Sequence, residues 1–178
     1  RYNWRALYPA VRLCNSWGNS TGKLIEGGVE GLVEIVAKTI YGEARDFGVL
    51  DRLAVGAVIR ERVLRPGWWG NSWESVCLCP GQFTCWEEER QEILNRAYSE
   101  DHRRLLACWS VAEYIVNHLT DEDATQLFGK RMPIPTHYHL TGVHYPKEWG
   151  EPGIAINVSW DSRFKFYAGV NGAPERKG

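Results

Sequence analysis

Apolar positions recur with helical spacing along residues 29 to 48, VEGLVEIVAKTIYGEARDFG. Leu32, Val36 and Ile40 form a stripe, while Glu30, Glu34, Lys38 and Arg45 fall on or toward the other side. At ~100° per residue, Glu43 lies within ~20° of both Leu32 and Val36. The pattern predicts a helix over about Val29 to Ala44 that turns one carboxylate toward its own apolar face. LDRLAVGAVIRERVLRPG predicts a second helix, with Asp51 near its start and Pro66-Gly67 stopping it. Up to Ile59 it is apolar on more than half its circumference, as a central helix would be. From about Ser99 to Leu119 a third long helix is predicted, burying Leu106, Trp109, Val116 and Leu119. The stretch before it is rich in loops and aromatics, with a brief helical turn at Ser72 to Val76.

Toward the C-terminus the period changes. THYHLTGVHYP and FKFYAGV alternate and carry β-branched and aromatic residues, which suits short strands punctuated by Pro133, Pro135, Pro146 and Pro152. The expected fold class is α+β, a mainly helical body with a small β-sheet or flap near the C-terminus. Residues 1 to 28 mix aromatics with Gly, Asn and Ser and read as an N-terminal arm ended by Gly27-Gly28, leaving residues 29 to 178 as one domain.

Composition narrows the function classes. The 178 residues are 44% hydrophobic and 24% charged, ordinary values for a globular chain with its own core. No apolar run approaches the ~20 residues of a membrane span. A net charge of -1 provides no basic field for nucleic acid. Nine Trp and eight Tyr are the clear excess, and they suit either a core or stacking on sugar rings. Five cysteines, Cys14, Cys77, Cys79, Cys85 and Cys108, are an odd number and read as reduced, half-buried thiols rather than a disulfide framework. No secretory signal opens the chain, which does not begin with Met, so a processed N-terminus is expected.

Glu43 leads the candidate chemistry. Burial raises a carboxyl pKa because the charged form loses hydration, and a neutral carboxylic acid can protonate a glycosidic oxygen. The structural alternative is a Glu that pairs with Arg45 or Arg62. Glu61 also looks inward on the second helix, although Arg60, Arg62 and Arg65 around it suit an ion pair equally well. Asp46 shares the face of Glu43 if the first helix persists. These two are the candidate second carboxylates. In GQFTCW, Gln82 and Thr84 supply hydrogen-bonding groups beside the aromatic rings of Phe83 and Trp86. In THYH, His137 and His139 lie on one side of a strand and Tyr138 on the other. With His144 the histidines make a zinc set conceivable, against a polar strand lining a cleft. No phosphate loop, dinucleotide fingerprint or nucleophile elbow is present.

AKTIYGEAR, AVGAVIRERV, PGQFTCW, THYH and FKFY, in this order, resemble the SleB-like (CwlJ/SleB) cell-wall hydrolase family over about Ile35 to Tyr167. The resemblance implies a lysozyme-related fold and cleavage of peptidoglycan glycan strands between N-acetylmuramic acid and N-acetylglucosamine by lytic transglycosylation. It places the catalytic glutamate at Glu43. The expectation is no cofactor or metal, and a monomer acting at the bacterial wall; a short chain with free thiols and no obvious secretion signal fits a phage lysin best, with a bacterial or spore enzyme whose leader has been removed as the alternative. Gln82, Phe83, Thr84, Trp86, His137, Tyr138 and His139 would then line the sugar cleft. Two departures stand out: Asp46-Phe47 follows the EAR where a Gly-Glu-like pair is common, and Glu61 stands where Asn is common. The competing readings are muramidase-type hydrolysis, a zinc amidase using His137 and His139, and a wall-binding module without catalysis.

Overall fold

The computed structural model describes residues 28–130, 133–150, 153–170 and 172–176. The expected N-terminal arm, and Cys14 with it, lies outside the described residues apart from Gly28. Six α-helices are described: α1 (Gly28–Ala44), α2 (Val49–Leu64), α3 (Trp73–Leu78), α4 (Gln91–Ser99), α5 (His102–Asn117) and α6 (Asp121–Leu127). Three strands follow, β1 (His137–Leu140), β2 (Ile154–Ile156) and β3 (Phe164–Ala168). The fold is therefore mainly helical α+β with a small C-terminal sheet.

The hydrophobic pattern explains the centre. α1 buries Val33, Val36, Ala37, Ile40, Tyr41 and Ala44 and packs most extensively on α5. Leu32 sits half-buried at the edge of that stripe rather than in it. α2 buries every residue from Ala54 to Ile59, as its apolar circumference requires. α3 begins at a capping box between Ser72 and Ser75, and α6 at one between Thr120 and Asp123.

The third helix departs from expectation. The period predicts one helix over 99–119, whereas the chain breaks at Glu100–Asp101 into α4 and α5. Asp101 is drawn into other bonds there: its carboxylate accepts from the Tyr41 hydroxyl at 3.0 Å and from Arg104 at 3.2 Å. The buried face of α5 is Leu105, Cys108, Val111, Ala112 and Ile115. Leu106 is 51% exposed. The Leu105-Leu106 pair offers two phases one residue apart, and packing on α1 selects the first.

The sheet is antiparallel in the order β1-β3-β2, with Tyr138 opposite Phe166 and His137 opposite Tyr167. Alternation along β1 and β3 makes two faces. Tyr138, Phe164 and Phe166 face the helices, where Phe128 and Phe47 meet the two Phe rings at 5.5 and 5.1 Å. His137, His139 and Tyr167 point the other way, into an aromatic cluster with Tyr145 and Trp149. Cys77, Cys85 and Cys108 are free and buried, and burial pushes the Cys77 thiol up to about 12. Cys79 is disulfide-bonded, which corrects the expectation of thiols throughout.

Candidate active site

Glu43 occupies the last turn of α1, half-buried on the side that faces the sheet. The Tyr138 hydroxyl donates to its Oε2 at 3.0 Å. Loss of hydration drives the Glu43 pKa above its usual 4.5. The Tyr138 hydrogen bond and the positive charges of Arg62 and Arg90 pull the other way, and Glu87 adds to the rise. Burial wins, so the acid keeps its proton to higher pH than an ordinary glutamate. Tyr138 is itself held well above 10.0, chiefly by burial, and so stays a donor.

Neither Arg45 nor Arg62 closes an ion pair on Glu43. Arg45 contacts Asp46 and the Gly42 carbonyl. Arg62 is buried, with Nε donating to the Thr136 carbonyl and Nη1 to Gln82 Oε1, both at 2.9 Å. Its guanidinium lies over the rings of Phe83 and Trp69, at 5.3 and 5.6 Å. Arg62 is thus a fixed positive charge near the acid, and two of the residues that position it, Gln82 and Phe83, are expected to touch sugar.

The other wall of the site comes from the turn Thr84–Trp86. The Trp86 indole donates to Thr39 Oγ1 at 2.9 Å, one turn before Glu43. Gly42 makes this approach possible, because a Cβ at that position would overlap the Cys85 side chain. The glycine inside YGEAR therefore has a packing reason: it brings the aromatic loop against the helix beside the acid.

The remaining candidates separate. Phe83 and His137 are buried, Thr84, Trp86 and Gln82 are half-buried, and no hydrogen bond or charge effect ties Thr84 to Glu43. His137 and His139 lie on the sheet face opposite Tyr138, so Tyr138 alone of the three reaches Glu43. Burial, with Arg62 adding to it, takes His137 down to about 3. His139 Nε2 and the Tyr167 hydroxyl are 2.9 Å apart. Glu61 is buried and bound by Arg65 at 2.7 Å, with Arg176 at 3.7 Å. Asp46 is exposed between Arg45 and Arg104 at 3.6 and 3.5 Å. Neither carboxylate bonds Glu43. The carboxylate whose charge raises the Glu43 pKa is Glu87, which sequence reasoning missed; the only signal was the acidic run Glu87-Glu88-Glu89 directly after the aromatic loop. Among the described residues, no group of three or more His, Cys, Asp or Glu side chains is placed to hold a metal ion.

Residues 48–151, more than half of the chain, match the cell wall hydrolase family. The chain belongs to the cell wall hydrolases. Membership makes it an enzyme that acts on the cell wall, with peptidoglycan as substrate. The matched region takes in Gln82 to Trp86 and His137 to His139 and begins just beyond the helix that carries Glu43. No curated protein and no solved structure matched the chain. No helix among the described residues is long and apolar enough to cross a membrane.

Proposed function

We propose that this cell wall hydrolase cuts the glycan strand between N-acetylmuramic acid and N-acetylglucosamine by lytic transglycosylation, with Glu43 as the single acid and base. The observation that carries the reading is the state of Glu43: half-buried, raised in pKa, and bonded through one oxygen to Tyr138. The Oε2 bond leaves Oε1 to hold the proton. Glu43 gives that proton to the glycosidic oxygen as the bond from C1 breaks. The resulting carboxylate then takes the proton of the muramoyl 6-hydroxyl while that oxygen bonds to C1, closing a 1,6-anhydro ring. Arg62, held in place by Gln82 and Thr136, stabilises the carboxylate between the two transfers.

A second reading, hydrolysis, is favoured by one observation. Glu87 is a half-buried carboxylate whose charge reaches Glu43, and a second carboxylate is what an inverting or retaining glycosidase needs. Mass spectrometry of products from purified peptidoglycan separates the readings. Anhydromuramic ends are expected, reducing muramic ends would move the mechanism to hydrolysis, and turnover surviving in a folded Glu43→Gln variant would remove Glu43 from either.

A further inference from the structure

The connection from β2 to β3 presents Trp160 with 97% of its surface exposed. A single exposed apolar side chain is ordinary, but this one is not on slack chain. Asp51, in the first turn of α2 and buried, accepts from the Ser162 hydroxyl and, at 3.1 Å, from the Arg163 backbone N–H. On the other side of the indole, the Ser159 hydroxyl donates to Asp161 at 2.7 Å. The ring is held out by a loop tied to the helical body.

Ser159 and Asp161, the two neighbours of Trp160, line an open cavity of about 440 Å³ with Asp46, Phe47, Leu50 and Arg163. Leu50 is 40% exposed and Val49 beside it 58%. The Arg163 guanidinium makes no hydrogen bond or ion pair among the described residues. A short apolar ledge, the carboxylates of Asp46, Asp51 and Asp161 and a free guanidinium thus surround one hollow, and Trp160 stands in the chain between two of its lining residues. A sugar ring fits this set: its C–H face packs on an indole, and its hydroxyl and acetamido groups bond to carboxylate and guanidinium. One lining residue, Phe47, is linked to the acid through packed rings. Phe47 meets Phe164 at 5.1 Å, Phe164 meets Tyr138 at 5.1 Å, and Tyr138 bonds Glu43.

We infer that Trp160 and the cavity between Asp46 and Arg163 form an accessory subsite that holds a sugar of the same glycan strand away from the bond being cut. The inference rests on the glycan-strand reading above. A strand seated there is held beside the reaction centre as a polymer, so grip on the long substrate exceeds what the cleavage site provides by itself.

The test uses the full chain carrying Glu43→Gln and insoluble purified peptidoglycan, with the bound fraction read by co-sedimentation. Adding Trp160→Ala should weaken retention roughly 3- to 10-fold, the loss of one aromatic contact, with Trp160→Tyr restoring most of it. The melting temperature should stay unchanged, because the indole is not packed. Equal retention of the Ala variant and its parent would overturn the subsite. So would a Trp160→Ala effect confined to binding of phosphatidylglycerol vesicles or to self-association, which would make the indole a membrane or dimer anchor. Release of muropeptides by the Glu43→Gln parent would sink the catalytic reading instead, and it is scored separately from retention.

Discussion

Two carboxylates turn inward on neighbouring helices, and their surroundings give them opposite characters. Glu61, at the C-terminal half of α2, is buried, with Arg65 at 2.7 Å and Arg176 at 3.7 Å. The C-terminal segment encloses it: Arg176 also makes two contacts with Asp121, and Arg65 donates to the Pro174 carbonyl at 3.2 Å. Glu43 has a tyrosine hydroxyl instead, and its cations act from beyond ion-pair distance. A buried carboxylate that has its cations ties segments of the chain together. One that lacks them is pushed toward the neutral acid, which costs stability whenever it must ionise but makes a proton available. The difference lies in the partner, not in the depth.

The comparison breaks most sharply at Glu43 itself. Glu43→Gln should lower turnover on peptidoglycan by roughly 10²- to 10⁴-fold, the usual scale for a general acid. The same variant should gain stability. In the fold the Glu43 pKa lies above its unfolded value near 4.5, so the native state holds the proton longer than the unfolded chain. That contribution is complete below pH 4.5 and is lost as pH rises through the folded pKa. Thermal melts across this range should show the variant drawing ahead of the parent as pH increases. A variant that loses activity and stability together would mean Glu43 is structural.

Glu61→Gln is the reverse case. It leaves Arg65 and Arg176 without their carboxylate and should cost about 2 kcal/mol, below the full buried-pair penalty because both arginines keep some contact with water. Activity per folded molecule should hold. If denaturant titration shows unaltered stability while turnover collapses, Glu61 belongs to the mechanism after all.

The smallest effects sharpen the site. In Tyr138→Phe, the ionised form of Glu43 loses its hydrogen bond, so the basic limb of the pH-rate profile should move up, with a rate loss of about tenfold or less. Glu87→Gln removes a charge that raises the Glu43 pKa, so the same limb should move down. Opposite shifts from removing a hydroxyl on one side of the acid and a charge on the other are hard to obtain by generalised unfolding. Shifts of the same sign would deny Glu43 control of that limb.

Periodicity carried the legible part of this molecule. α1 and α2 lie within two residues of their expected limits because their apolar stripes are long and end at Gly and Pro signals. β2 escaped because three residues, Ile154–Ile156, are too short to show alternation, and α6 because its apolar content is slight. Glu43 was conspicuous as a charge on an apolar face. Arg62 was named as a possible partner, but Tyr138 and Glu87 were not tied to it, since they converge on the acid only through the register of β1 and a turn against α1. Strand alternation already set the two histidines apart from Tyr138, but which face meets the helices depends on Phe164 and Phe166 across the sheet.

Gly42 gives this arrangement a mechanical side. With Cys85 resting on it, the separation of two backbone segments sets how much water reaches the neighbouring acid. A single methyl at position 42 carries no charge and offers no hydrogen bond. It would nonetheless act as a wedge, lifting the Thr84–Trp86 turn, wetting Glu43 and making it a stronger, earlier-ionising acid. Catalytic tuning here is geared to the thickness of a contact, and an uncharged substitution at that contact would read out as a change in pH optimum.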